Sequence, residues 1–204
     1  MNLVCFAHHC GGGIVCDLLN NAWSPMDGIR VRSTAHGLLK IITEGTIIRK
    51  FDEEHWKFMK YQIEINPWLK DKNDLWVGTH CHPSAIPDKY LDDFEKIISI
   101  VCTTKKSKLY RYLRIVYGNL MPSPSKMLIE YPAAHLVKED FETHPKCINI
   151  EFEDIVDGRF VEQYNLSIER FEEWKNSNKF LYQDVDPRLL TIFEEAYNGI
   201  SHPC

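Results

Sequence analysis

The sequence predicts an α/β fold of three layers around a mainly parallel central sheet. Three observations predict it: four short apolar runs, helix-like segments spaced between them, and a glycine triplet joining the first run to the first helix. The runs are Asn2 to Ala7, Leu75 to Thr79, Ile97 to Cys102 and Cys147 to Phe152. Each is continuous with little alternation, the pattern of strands buried on both faces.

The helical segments follow in order. Gly13 to Asn21 is launched directly from the glycines. Asp52 to Ile65 places Trp56, Met59 and Ile63 at helical spacing, with Asp52, Glu53 and Glu54 at the positive N-terminal end. Lys105 to Tyr117 repeats Leu109, Leu113, Val116 and Tyr117, and its other side is basic, which ordinarily marks a solvated face. Ser167 caps a run containing Ile168, Phe171 and Trp174. Asp186 and Pro187 open a last helix through Leu189, Leu190, Phe193 and Tyr197, which Gly199 is placed to close.

The 204 residues read as a single domain, 1–204, with no repeat or low-complexity linker. Hydrophobic residues make up 44% and charged residues 26%, enough apolar side chain for a real core. A net charge of −5 supplies no global positive field for nucleic acid or anionic lipid. No apolar run reaches the length of a membrane span, and the N-terminus lacks the basic and apolar regions of a signal peptide. Seven cysteines form no C-x-x-C pair, which fits reduced thiols. The expectation is a soluble cytoplasmic protein whose partner is a small molecule, neither nucleic acid nor membrane.

Two strand ends carry the candidate chemistry. The first run ends in His8, His9 and Cys10, then Gly11, Gly12 and Gly13. Glycines between a strand and a helix let the backbone approach an anion, and the helix N-terminus offers unpaired N–H groups to it. The same glycines would serve a tight turn that merely lets the helix pack closely. The lysine and hydroxyl of a Walker A loop are absent, as is the G-x-G-x-x-G spacing. The second run ends in Thr79, His80, Cys81, His82 and Pro83.

Taken together, FAHHCGGGIV, GTHCHPSAIP, IISIVCTTKKSKLYRYL and INIEFEDIVDG resemble, in this order, four segments of the sulfotransferase family. They stand where that family has its 5′-phosphosulfate loop, a strand ending in Lys-Thr-His-Leu-Pro, the strand and helix that grip the 3′-phosphate, and a Tyr-Glu-Asp-Leu strand. The resemblance spans most of the chain, with Thr79, His80 and Pro83 its most specific part. It implies a P-loop NTPase-like architecture and 3′-phosphoadenosine 5′-phosphosulfate as sulfonate donor to a hydroxyl- or amine-bearing acceptor. His80 matches the family's catalytic base, and an imidazole titrating near neutrality suits that work. Cys10 and the glycines at 11 to 13 match the anion cradle. His9 takes the place of a lysine that steadies the leaving group, and Gly12 and Gly13 the place of hydroxyl residues. Thr103 stands at an expected arginine and Arg111 at an expected serine, leaving Lys105, Lys106, Lys108, Arg111 and Arg114 as nearby charge for the 3′-phosphate. The acceptor pocket falls to variable segments such as Trp23 to Arg32 and Pro122 to His135.

The same histidines allow two other readings. If the two strands are neighbours, His8, His9 and Cys10 converge with His80, Cys81 and His82, and nitrogen and sulfur ligands suit zinc, copper or iron. Alternatively the fold has lost donor binding and is a non-catalytic binding protein. His36, His55, His135, His144 and His202 have no clustered partner in sequence and read as surface or structural. Glu151, Glu153 and Asp154 have the look of paired carboxylates, but the family resemblance implies a mainly structural strand end rather than an acid and base.

Overall fold

Strand β1 (Asn2–Phe6) is buried along its whole length and lies at the centre of the sheet. The structure is a computed structural model, and it describes residues 1–7, 9–20, 25–26, 29–30, 53–65, 74–118 and 142–201. β1 is followed by helix α1 (Gly12–Leu19), then by a short antiparallel pair, β2 (Pro25–Met26) with β3 (Ile29–Arg30). Helix α2 (Glu53–Ile65) precedes β4 (Trp76–Thr79), α3 (Asp88–Leu91), β5 (Lys96–Val101) and α4 (Lys105–Gly118). The rest is β6 (Ile148–Glu151), α5 (Phe152–Val156), α6 (Arg159–Gln163), α7 (Ile168–Ser177) and α8 (Pro187–Ser201).

The four expected strands form one parallel sheet in the order β4-β1-β5-β6. Alternate residues of β1 face opposite layers, as a pleated strand requires. Val4 and Phe6 join Ile98, Ile100 and Ile150 beneath α1, α4, α5, α7 and α8, with Ile14, Leu113, Phe152, Phe171 and Phe193 in the same cluster. Leu3 and Cys5 join Val77 and Ile97 beneath Trp56 of α2 and Tyr90, Leu91 and Phe94 in and after α3. The three layers are therefore present.

The strand order carries the functional consequence. From β1 the chain crosses to β4 on one side, and from β4 it crosses back to β5 on the other. That reversal is a topological switch point, where a crevice opens beyond the strands' carboxyl ends.

Polar side chains fasten the layers at particular points. Asn20, after α1, donates its amide to the Trp76 carbonyl at 2.8 Å and accepts from the Trp76 N–H at 2.9 Å, satisfying the flank of β4 as a neighbouring strand would. Asp17 of α1 and Arg170 of α7 pair at 3.0 Å. The Ser167 hydroxyl accepts from the Arg170 N–H, the cap expected of it.

Several local features differ from expectation. Cys147 to Phe152 does not run as a strand throughout: β6 ends at Glu151, and Phe152 begins α5, buried against α4. Helix α6, too, was not foreseen; Gly158, at φ 84°, makes the turn into it. Gly199 does not close α8, which continues to Ser201. Arg111 is not on a solvated face: it is buried at 3% exposure, because α4 is covered by helices on more than its apolar stripe. His8 and the segment from Pro122 to His135 lie outside the described residues, as do Trp23 and Cys204. Among the described residues no helix is long and apolar enough to cross a membrane.

Removing the Asn20 side chain strands one N–H and one carbonyl of Trp76 against a packed helix. Asn20→Ala is expected to lower unfolding stability by about 1–3 kcal/mol in a urea titration, whereas Asn176→Ala, at an exposed position of α7, should change it by less than about 0.5 kcal/mol.

Candidate functional site

The turn after β1 is built from left-handed backbone. His9 has φ 67° and Gly11 φ 73°, and Gly11 is the N-cap of α1. A glycine at position 11 brings no side chain to cap the helix, so the first N–H groups of α1 keep their capacity for an external acceptor. For His9 the left-handed region costs roughly 1–2 kcal/mol. Its carbonyl accepts a 2.8 Å hydrogen bond from Arg114 Nη1, which holds the turn in that shape.

Arg114 is the organising cation beneath the turn. Its Nε donates to Asn178 Oδ1 at 3.1 Å, and the guanidinium lies 5.9 Å from the Phe152 ring centre and 5.6 Å from that of Trp174. No carboxylate pairs with it among the described residues. Burial lowers its pKa, while Cys10 and Tyr182 act in the opposite sense. An arginine titrates so far above neutrality that it stays charged here.

The three glycines do different work. A Cβ at Gly12 would overlap the ring of Phe6, so this glycine lets α1 sit directly on β1's last side chain. At Gly11 a Cβ would meet Phe152 at 3.2 Å. At Gly13 it would meet nothing within 4 Å among the described residues, which makes Gly13 the open position there. Close packing thus explains Gly12, and no described neighbour demands a glycine at position 13.

His80 stands at the end of the neighbouring strand. Cys5 of β1 is in register with Thr79 of β4, and the His80 ring lies edge-on to Phe6, with centroids 4.4 Å apart and planes at 65°. The same Phe6 ring thus touches both the Gly12 turn and the half-buried imidazole. Thr79 Oγ1 accepts from the Cys81 N–H at 3.1 Å, turning the chain out of the strand.

His82 is committed elsewhere. Its Nδ1 accepts from the Ser84 N–H at 3.2 Å and caps the turn Pro83–Ala85, while its Nε2 is 3.2 Å from the Glu142 carbonyl. A carbonyl only accepts, so Nε2 carries the proton. Of the set His8, His9, His80 and His82 with Cys10 and Cys81, His8 lies outside the described residues; among the described residues no group of three or more His, Cys, Asp or Glu is placed to hold a metal. His144 has acquired neighbours that sequence distance concealed. Its ring centre is 6.5 Å from that of His82, and its Nδ1 is 3.5 Å from Cys147 Sγ.

At the third strand end, Thr103 donates its N–H to Glu151 Oε2 at 3.1 Å and its hydroxyl to Oε1. A carboxylate therefore sits where the family resemblance would put part of the 3′-phosphate site. Thr104 Oγ1 accepts from the Ser107 N–H at 3.0 Å and donates to Glu153 Oε2 at 2.7 Å. Lys105 pairs with Glu194 and Lys106 with Asp157, each at 2.6 Å. Arg111 is buried in the helix layer. The turn residues and His80 are brought together; Lys105 and Lys106 hold carboxylates on the outer side of α4.

The chain matches no protein-family model and no curated protein. Of the residues that shape this site, Arg114 was visible only as one charge in a basic helix. The contact between Cys10 and Cys102 Sγ, at 3.3 Å, had no sequence signal beyond each thiol's place after a strand.

Gly13→Ala is expected to be neutral or to stabilise by up to about 1 kcal/mol, because alanine is the better helix former and meets no neighbour among the described residues. Gly12→Ala should destabilise by about 1–3 kcal/mol through overpacking on Phe6. Equal losses in thermal or urea unfolding would contradict the division of labour.

Burial pushes the Cys147 thiol up to about 11. The thiolate is the reactive form, so alkylation of Cys147 should quicken by about tenfold per unit from pH 8 to pH 10. A thiol of ordinary pKa would level off near pH 9. A rate independent of pH but sensitive to chelators would instead mean a metal-held thiolate.

Proposed function

We propose that this chain binds a sulfonate donor across the turn after β1 and transfers the sulfonate to a hydroxyl- or amine-bearing small molecule, with His80 as general base. One observation carries the reading: the glycine turn, through Gly12, and the imidazole of His80 flank a single aromatic ring, Phe6, at the switch point of a parallel sheet. The N–H groups at the start of α1 would stabilise negative charge as the bond from sulfur to the leaving phosphate lengthens. His80 would take the proton of the attacking group. Arg114 acts through the backbone, holding the His9 carbonyl so that the turn keeps its shape. The donor of this reading is 3′-phosphoadenosine 5′-phosphosulfate.

Lys105 and Lys106 remain the candidate charges for the 3′-phosphate in this reading. Their carboxylate partners do not bar them, since exposed ion pairs contribute about 0–1 kcal/mol and a dianionic phosphate can replace them. Glu151 on the Thr103 N–H is the observation that favours a second reading, a sulfotransferase-like fold that binds a small anion or partner without catalysis.

Titration calorimetry with adenosine 3′,5′-bisphosphate, joined to transfer assays using radiolabelled donor and a panel of phenols, alcohols and amines, separates the two. Sulfonate transfer predicts nucleotide binding, and His80→Ala should then cut transfer by roughly 10²-fold or more with binding retained. Absence of binding at millimolar nucleotide would remove the donor. Binding with no transfer to any acceptor class would leave the non-catalytic reading.

A further inference from the structure

We infer that Cys10 and Cys102 form an oxidisable dithiol, a modification site at which a peroxide joins the turn after β1 to the end of β5. The inference stands on geometry and does not rest on sulfonate transfer. The two sulfurs are 3.3 Å apart, although 92 residues separate them in sequence. A disulfide bond is about 2.05 Å, so closing the pair needs the sulfurs to approach by only about 1.2 Å. Neither residue lies within a strand or helix. Cys10 is in the turn that ends at Gly11, and Cys102 follows Val101, the last residue of β5. Phe6 and Ile100 are paired across β1 and β5, which is why the two segments emerge side by side.

Both thiols are buried, at 0% and 1% exposure, so oxidant must reach them through movement of the turn. The turn contains two left-handed residues and is closed on itself by a 3.2 Å hydrogen bond from the Cys10 N–H to the Ala7 carbonyl, the contact that must open for oxidant to enter. The Arg114 guanidinium, which interacts electrostatically with Cys10 and has no carboxylate partner among the described residues, favours negative charge on that sulfur. The other thiols are placed differently. Cys5 lies within β1 and Cys16 within α1, each held in a regular element rather than in a turn.

The steps balance. The thiolate of Cys10 attacks one oxygen of hydrogen peroxide, the O–O bond breaks, and the sulfenic acid forms with release of hydroxide, which takes up a proton as water. Cys102 then attacks that sulfur as thiolate, the S–S bond forms, and a second hydroxide leaves as water. Two thiols are oxidised and one peroxide is reduced. A dithiol reductant reverses the result.

The reduced chain would be treated with graded hydrogen peroxide, quenched with N-ethylmaleimide and digested without reduction for mass spectrometry. The expected product is a bridge between Cys10 and Cys102, formed at least about tenfold faster in the folded than in the urea-unfolded chain because the fold holds the partners together. Cys102→Ser should stop the reaction at a sulfenic acid on Cys10 that dimedone traps, while Cys16→Ser should leave the bridge intact. If Cys102→Ser does not fold, the wild-type comparison still decides. Oxidation of Cys147 without a bridge from Cys10 to Cys102, or bridges spread evenly over Cys5, Cys10 and Cys16, would overturn the inference.

Discussion

The ring of Phe6 is the contact on which the arrangement at the sheet's carboxyl edge depends. It lies against Gly12 at the start of α1, and a Cβ at Gly78 of β4 would come within 2.9 Å of it. It also meets the edge of His80 at 4.4 Å. A helix, a strand and the candidate base are thus spaced by one side chain. Two glycines on different elements are needed for it to fit. An edge-on aromatic contact contributes only about 0.5–1.5 kcal/mol beyond burial, so its importance here is positional. It sets how far the imidazole can stand from the turn.

Around that ring the charges are sorted by depth. Arg114 is held inside by a backbone carbonyl, an asparagine and two aromatic faces. Lys105 and Lys106 face outward to carboxylates. A buried cation without a carboxylate pays a desolvation penalty that only well-directed acceptors offset, and the His9 carbonyl is one of those acceptors. The strained turn and the buried charge therefore stabilise each other, and neither is explicable alone.

Much of the scaffold was legible because parallel strands covered on both faces must be continuously apolar. Leu75 to Thr79 and Ile97 to Cys102 announce themselves on that ground. The caps at Ser167 and Asp186 were legible for a local reason, a polar side chain ahead of an apolar period. What the residues alone could not reveal was set by the third dimension. Nothing in the triplet distinguishes Gly12 from Gly13 until Phe6 is placed beneath one of them. Arg111 and Arg114 looked like part of a wet face, because a helix covered by several other helices shows no simple stripe. Phe152 read as the last residue of a strand because an apolar residue fits a strand end and a helix start equally well. The histidine-rich segments suggested convergence, but beyond the strand ends the pleat no longer governs direction, and His82 turned to cap its own chain.

The central claim is that the turn after β1 and the imidazole of His80 serve one ligand. Heteronuclear NMR of the labelled chain during titration with adenosine 3′,5′-bisphosphate tests it directly. The account predicts that the Gly13 and Ile14 amides and the His80 ring signals shift together along one binding curve. Shifts at the glycine amides with His80 unmoved, or shifts confined to the outer face of α4, would contradict it.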